Sequence, residues 1–269
     1  MTAPHGAAGN GVAGGGAANG PSAAPRLAVV VGAGSVKCAA ALGLWRALGR
    51  AGIVPDLLVG CSGGALFAAG LALGLPADEV QALAVRLFTR DVTSRPDRRA
   101  LLRAAFPRLF GFSERWGLRD DRPMAANLRA AFGDRTFADC RYRLLCTATD
   151  FFTGEQVVLG AGRLVDAVRA SIALPFAFAP WPVGGRPLVD GVLSDPLPVG
   201  VAVREGADVI VAMDFDSPYQ TRVRSAGRFA FQVSSILTNN LLRSSFAFHG
   251  LAHHGEVLAV LPRFAQRVG

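Results

Sequence analysis

The sequence runs to 269 residues, 51% of them hydrophobic, enough to bury a substantial core as one large α/β domain or two small ones. Its formal net charge of +8 favours anionic partners, phospholipid headgroups or nucleic acid, without choosing between them. Four cysteines, Cys38, Cys61, Cys140 and Cys146, make neither a C-x-x-C pair nor a zinc-ligand spacing, so no disulfide framework and no metal site is indicated, and a reduced, cytoplasmic setting is expected. A signal peptide is not expected, and no stretch sustains the roughly 20 apolar residues that span a bilayer.

Residues 1–25 are almost entirely Gly, Ala, Pro, Asn and Ser and offer nothing large enough to offset the entropy of ordering them, so a disordered tail is expected, with the folded domain over 26–269. Leu27-Ala28-Val29-Val30-Val31 is an apolar β-branched run of the buried parallel-strand kind, and Gly32-Ala33-Gly34-Ser35 ends it. Residues 39–50 then read as a helix, closed by the turn residues before a second apolar strand at Leu57. That strand breaks at Ser62, among Gly60, Gly63 and Gly64, and resumes as small helix-compatible residues. Gly-x-Ser-x-Gly between a strand and a helix is the pattern of a nucleophile elbow, where a serine occupies a sharp turn. The order β, glycine loop, α, β, Ser62, α puts loop and serine at carboxyl ends of strands, the edge at which open α/β sheets bind ligands.

The glycine loop is not a dinucleotide fingerprint, because Lys37 stands at its third glycine position, and it lacks the Gly-Lys-Ser/Thr of a P-loop. Backbone N–H groups at a helix start remain, an anion site able to hold the oxyanion of an acyl-transfer intermediate, or else a plain tight turn. Residues 89–135 form a basic helical segment. Arginines interleave there with Leu101, Leu102, Phe106, Leu109, Phe110, Phe112 and Trp116, either as a solvated face over the core or as an amphipathic cap for peripheral contact with an anionic membrane. The arginines come with no helix-turn-helix, zinc finger or aromatic RNA-binding signature, so no nucleic acid is expected.

Strand patterns return at 144–149 and 156–159 across a Gly-bearing turn, which predicts a hairpin, with Asp150 a solvated turn carboxylate. A short helix over 163–171 stops at Leu174-Pro175. Asp195 is expected to cap a helix over 197–205. Strands follow at 209–213 and 257–261. Between them lie one or two helices whose Phe229, Val233, Ile236, Leu237 and Leu241 are expected to pack in the core.

Three ordered blocks resemble patatin-like phospholipases: Gly32-Ala33-Gly34-Ser35-Val36-Lys37-Cys38 with the helix end Leu48-Gly49-Arg50-Ala51-Gly52-Ile53; Gly60-Cys61-Ser62-Gly63-Gly64-Ala65; and Arg169-Ala170-Ser171-Ile172-Ala173-Leu174-Pro175-Phe176 with Pro187-Leu188-Val189-Asp190-Gly191. The resemblance implies a three-layer α/β/α fold with a mainly parallel central sheet, and a hydrolase that cleaves fatty acyl esters of lipids. It implies a Ser62–Asp190 dyad, an oxyanion site at Gly32, Ala33, Gly34, Ser35 and Gly63, supporting roles for Gly60, Gly64, Gly191 and Lys37, and no cofactor. Ser35, Cys38 and Val192 stand where the family usually has glycine. Two alternatives remain open. Ser62, Asp190 and His253 or His254 follow the chain order of an α/β-hydrolase triad, and a loop altered at Ser35 and Cys38 would suit a lipid-binding relative without activity.

Overall fold

The computed structural model describes residues 24–89, 95–215, 222–224, 226–252 and 256–264; all but the last two residues of the expected tail lie outside them. The strands are β1 (Leu27–Val31), β2 (Leu57–Cys61), β3 (Arg143–Asp150), β4 (Gln156–Leu159), β5 (Trp181–Val183), β6 (Arg186–Asp190), β7 (Val209–Met213) and β8 (Glu256–Val260). Helices are α1 (Ala40–Arg50), α2 (Gly63–Ala72), α3 (Ala77–Leu87), α4 (Arg98–Ala105), α5 (Pro107–Phe110), α6 (Arg122–Phe132), α7 (Leu164–Ser171), α8 (Val199–Arg204) and α9 (Ala226–Ala252).

The strands form one mixed sheet in which pairing runs β5-β6-β3-β2-β1-β7-β8, with β4 also on β3. Pairs β3-β2, β2-β1, β1-β7 and β7-β8 are parallel, as the apolar runs separated by helices predict. Alternation along the strands feeds two layers. Val29, Val31, Leu58, Leu144, Cys146, Val211 and Met213 share a core with α1, α2, α3, α6 and α7. Ala28, Val30, Leu57, Val59, Leu145, Ile210 and Ala212 share one with α8 and α9. The result is the expected three-layer α/β/α arrangement.

The expected β3–β4 hairpin forms, with Cys146 opposite Leu159. Other expectations are corrected. The Pro- and Gly-bearing stretch before Pro187, which shows no strand pattern in sequence, holds the strand β5, paired with β6 around Gly184 and Gly185, both at positive φ. Helix α8 begins at Val199, two residues later than expected, although Asp195 Oδ1 does accept the Leu197 N–H at 3.2 Å. On α9 the expected core row is exposed at Phe229, Val233, Ile236 and Leu237, while Ser235, Thr238 and Leu242 are buried. Helical spacing identifies a row of apolar residues but not the side that meets the sheet.

Helix α2 is buried along its whole length, which explains why its sequence is small and apolar all round rather than amphipathic. Phe67, without exposed surface, is among its largest side chains. Phe67→Ala is expected to lower the unfolding free energy by about 3–5 kcal/mol, read as a fall in the urea midpoint at constant m value.

Candidate active site

Strand β2 ends at Cys61, α2 starts at Gly63, and Ser62 between them takes φ 55° and ψ −128°. A non-glycine residue in that region costs on the order of 1–3 kcal/mol and persists only where its surroundings over-determine it. Two sets of contacts do so here. Ser62 N–H donates to Ser171 Oγ at 2.9 Å, and Ser171 O–H donates to Thr147 O at 2.7 Å, so β3 and α7 clamp the turn. Gly64 presses against β1: a Cβ there would lie 2.1 Å from Val31 O, a distance no side chain tolerates. Gly60 faces the backbone of Ala65 in the same way. From Leu57 to Ala72 Ser62 alone is not buried, so this otherwise enclosed stretch comes to the surface at the serine turn.

Sheet register brings Asp190 to that hydroxyl. β2 pairs with β3 up to Cys61↔Thr147, while β6 pairs antiparallel from the other direction and ends at Asp190↔Ala148. β4 occupies the opposite edge of β3, so the carboxyl tips of β2 and β6 meet end to end over consecutive β3 residues. Ser62 O–H donates to Asp190 Oδ2 at 2.8 Å, closing a gap of 128 positions in sequence. Asp190 Oδ1 accepts the Val192 N–H at 3.0 Å, and Asp190 N–H donates to Ala173 O at 3.0 Å. Val192 thus fills its position in a 3₁₀ turn from Gly191 to Leu193, and Gly191 packs on Thr147 O. Burial pushes the Asp190 carboxyl up to about 7, against the Val192 and Ser62 hydrogen bonds and the Arg169 charge, which pull it down.

In the glycine loop, Gly32 N–H donates to Met213 O at 3.0 Å and Ala33 N–H to Pro196 O at 2.8 Å, so these two fix the loop between β7 and the approach to α8. A 3₁₀ turn from Ser35 to Ala39 follows, with Lys37 half-buried on it. Ser35 takes φ 52°, which accounts for glycine being usual at that position in the family it resembles. The loop touches the serine turn backbone to backbone: a Cβ on Gly63 would lie 2.8 Å from Ser35 N. Among the described residues, the N–H groups of Gly34, Ser35 and Gly63 have no protein acceptor. Cys38 is buried, its thiol pushed far up by desolvation while Sγ contacts Gly32 O at 3.4 Å.

Two residues whose roles the sequence does not reveal complete the surroundings. Ser171 holds the turn, as above. Arg169 is fully buried, donates Nε and Nη2 to Asp121 Oδ1 at 2.9 and 2.5 Å, and lies against the rings of Phe178 and Trp181. Both belong to the Arg169-Ala170-Ser171 block through which the sequence resembles the family, the signal that marks them. Asp150 is a correction: it is buried, not solvated, and held down to about 2 by the Thr153 N–H, Arg186 and the Phe152 N–H. Among the described residues no group of three or more His, Cys, Asp or Glu side chains converges for a metal. His253 and His254 lie outside the described residues.

A mainly parallel sheet between helical layers, with a glycine loop and a serine turn facing each other at its carboxyl edge, defines the class of α/β proteins that bind ligands at that edge. The chain belongs to the patatin-like phospholipase family, whose profile matches residues 29–203. It is 30% identical over 226 residues to an uncharacterised NTE-family protein of Mycobacterium tuberculosis, covering 84% of this chain and 58% of that protein. It is 29% identical over 203 residues to rat patatin-like phospholipase domain-containing protein 7, covering 75% of this chain and 14% of the relative. Among solved structures, VipD from Legionella pneumophila matches with TM-score 0.43 at 16% identity, over 73% of this chain and 51% of that one. The type III effector ExoU matches with TM-score 0.37 at 19% identity, over 82% and 53%.

The Ser171 clamp makes a direct prediction. Ser171→Ala leaves the Ser62 N–H without its acceptor beside a strained residue, and is expected to cost about 1–3 kcal/mol of stability, measured by urea unfolding.

Proposed function

We propose that the protein is a lipid acyl hydrolase of phospholipase A or lysophospholipase type, working through Ser62 and Asp190. The observation that carries this reading is the 2.8 Å hydrogen bond from the hydroxyl of a strained, solvent-reachable serine to a buried carboxylate whose affinity for a proton is raised to about 7. A base with that affinity is matched to take a proton near neutral pH and to return it.

In the first half-reaction Ser62 Oγ attacks the ester carbonyl carbon as its proton passes to Asp190 Oδ2. The carbonyl oxygen becomes an oxyanion facing the Gly34, Ser35 and Gly63 N–H groups, a narrower set than the full loop because Gly32 and Ala33 spend theirs on Met213 and Pro196. Collapse breaks the bond to the alcohol, which leaves with the proton from Asp190. Water then gives a proton to Asp190 and attacks the acyl-enzyme, and Ser62 recovers its proton as the fatty acid departs. The nucleophile, the base and the anion site are all protein groups, so the cycle asks for no cofactor. Direct contact between Ser62 and Asp190 favours a dyad, since a relay through His253 or His254 would need an imidazole between them.

Labelling by a fluorophosphonate and hydrolysis of p-nitrophenyl esters test the reading. Ser62→Ala is expected to abolish both; an unlabelled, inactive but folded wild-type protein would favour a lipid-binding role instead. Asp190→Asn is expected to lower kcat by about 10²–10⁴. Since the carboxylate is the working form, kcat/KM for wild type should fall as pH drops through about 7 and level off above it. A pH-independent rate between 5 and 8 would remove Asp190 from the role of base, and loss of turnover in His253→Ala or His254→Ala would restore the triad.

A further inference from the structure

Between α3 and α6 the chain makes an excursion that the catalytic reading does not use. Its stem is a pair of short extended segments: Pro96 bridges Arg119, Asp97 N–H donates to Leu118 O at 2.9 Å, and Asp120 N–H donates to Arg95 O at 2.9 Å. Above the stem stand α4 and α5, closed by Phe112 against Trp116 and by the Trp116 indole N–H donating to Ala100 O at 2.9 Å. Every residue from 101 to 115 is exposed, including Leu101, Leu102, Phe106, Leu109, Phe110 and Phe112, with Leu109 at 76%. Ordinary folding does not leave so many large apolar side chains together in water without a use for them.

The charge around them identifies the occupant. From 98 to 115 there are five arginines, Arg98, Arg99, Arg103, Arg108 and Arg115, against the single carboxylate of Glu114. All six of these side chains belong to exposed residues. Apolar side chains flanked by cations match the boundary of an anionic bilayer, where the former enter the acyl region and the latter meet phosphates.

The arch is also joined to the proposed site. Leu118 N–H donates to Phe176 O and Arg119 N–H to Ala177 O, each at 2.9 Å, so its stem is bonded to the loop that follows Ser171. In that loop Leu174 packs on Ala33, Cys61 and Val192, around the serine turn, and Phe176 is exposed at φ 64°. A surface gripping the arch therefore lies next to the loop that packs around the serine turn.

We infer that the α4–α5 arch docks the protein on anionic membrane surfaces and presents lipid to the Ser62 site past Phe176. The inference about presentation rests on the lipid hydrolase reading; docking itself does not. The test is partition of the full chain onto phosphatidylcholine vesicles with and without phosphatidylglycerol. Wild type should bind the mixed vesicles, lose binding as salt rises, and bind neutral vesicles far less. Arg103→Gln with Arg108→Gln should weaken partition about thirtyfold, and Leu109→Glu with Phe110→Glu at least as much, with thermal unfolding midpoints showing both variants folded. Equal binding to neutral vesicles, or wild-type partition by both variants, would overturn the inference. So would a changed oligomeric state in the apolar variant with partition intact, which would assign the face to a second copy. Wild-type hydrolysis of the same vesicles separates the two readings: intact partition without hydrolysis would end the hydrolase reading and leave docking standing.

Discussion

Backbone passing backbone with nothing between is the constraint on which this site depends. The amino end of α2 lies so close to β1 that Gly64 has Val31 O where a Cβ would be, and Gly63 has Ser35 in the same relation. These approaches hold the serine turn and the glycine loop together as one surface, and they force Ser62 into a backbone region that only a crowded setting sustains. Strain at the serine and the absence of side chains beside it are two results of one packing demand.

Electrostatics add a second layer. Asp190 accepts hydrogen bonds from Ser62 and Val192 and feels the charge of Arg169, all of which favour its ionised form, yet desolvation outweighs them. Full solvation would leave the carboxylate a weak base with an ordinary affinity; stronger pairing would hold it ionised and reluctant to take a proton. Arg169 acts on Asp190 by charge alone: its Nε and Nη2 donate to Asp121, and its buried Nη1 has no hydrogen-bond partner. Arg169 also fastens the start of α6, just past the arch, to α7, so the helical excursion and the site share an anchor.

The strand, loop, helix, strand and serine turn at the start were legible because apolar runs are cut there by glycines whose positions have one structural explanation. Asp190 was legible only through its surrounding block, since an Asp-Gly pair by itself is an ordinary turn. Hairpin β5–β6 escaped because three residues with Pro182 at their centre carry no strand periodicity. The outward row of α9 was misread because periodicity defines a face without saying what it meets. Ser171 and Asp150 act through contacts to Ser62 and Arg186, 109 and 36 positions away, that no local pattern encodes.

The end-to-end meeting of β2 and β6 over β3 bears on how the chain reaches its native state. Parallel pairing of β1, β2 and β3 draws on the first 150 residues, whereas β6 returns from the opposite direction and settles on only three β3 positions, Ala148 to Asp150. The Ala148–Asp190 pairing spans 42 positions, fewer than the 86 from Leu57 to Arg143, so its loop-closure cost is the smaller of the two. Ser62 gains its Asp190 partner only when β6 has joined β3. A chain in which β6 is not yet in place carries the serine, the loop and the arch but not the Ser62–Asp190 hydrogen bond, so that pair is a property of the assembled sheet and not of the segment that bears the serine.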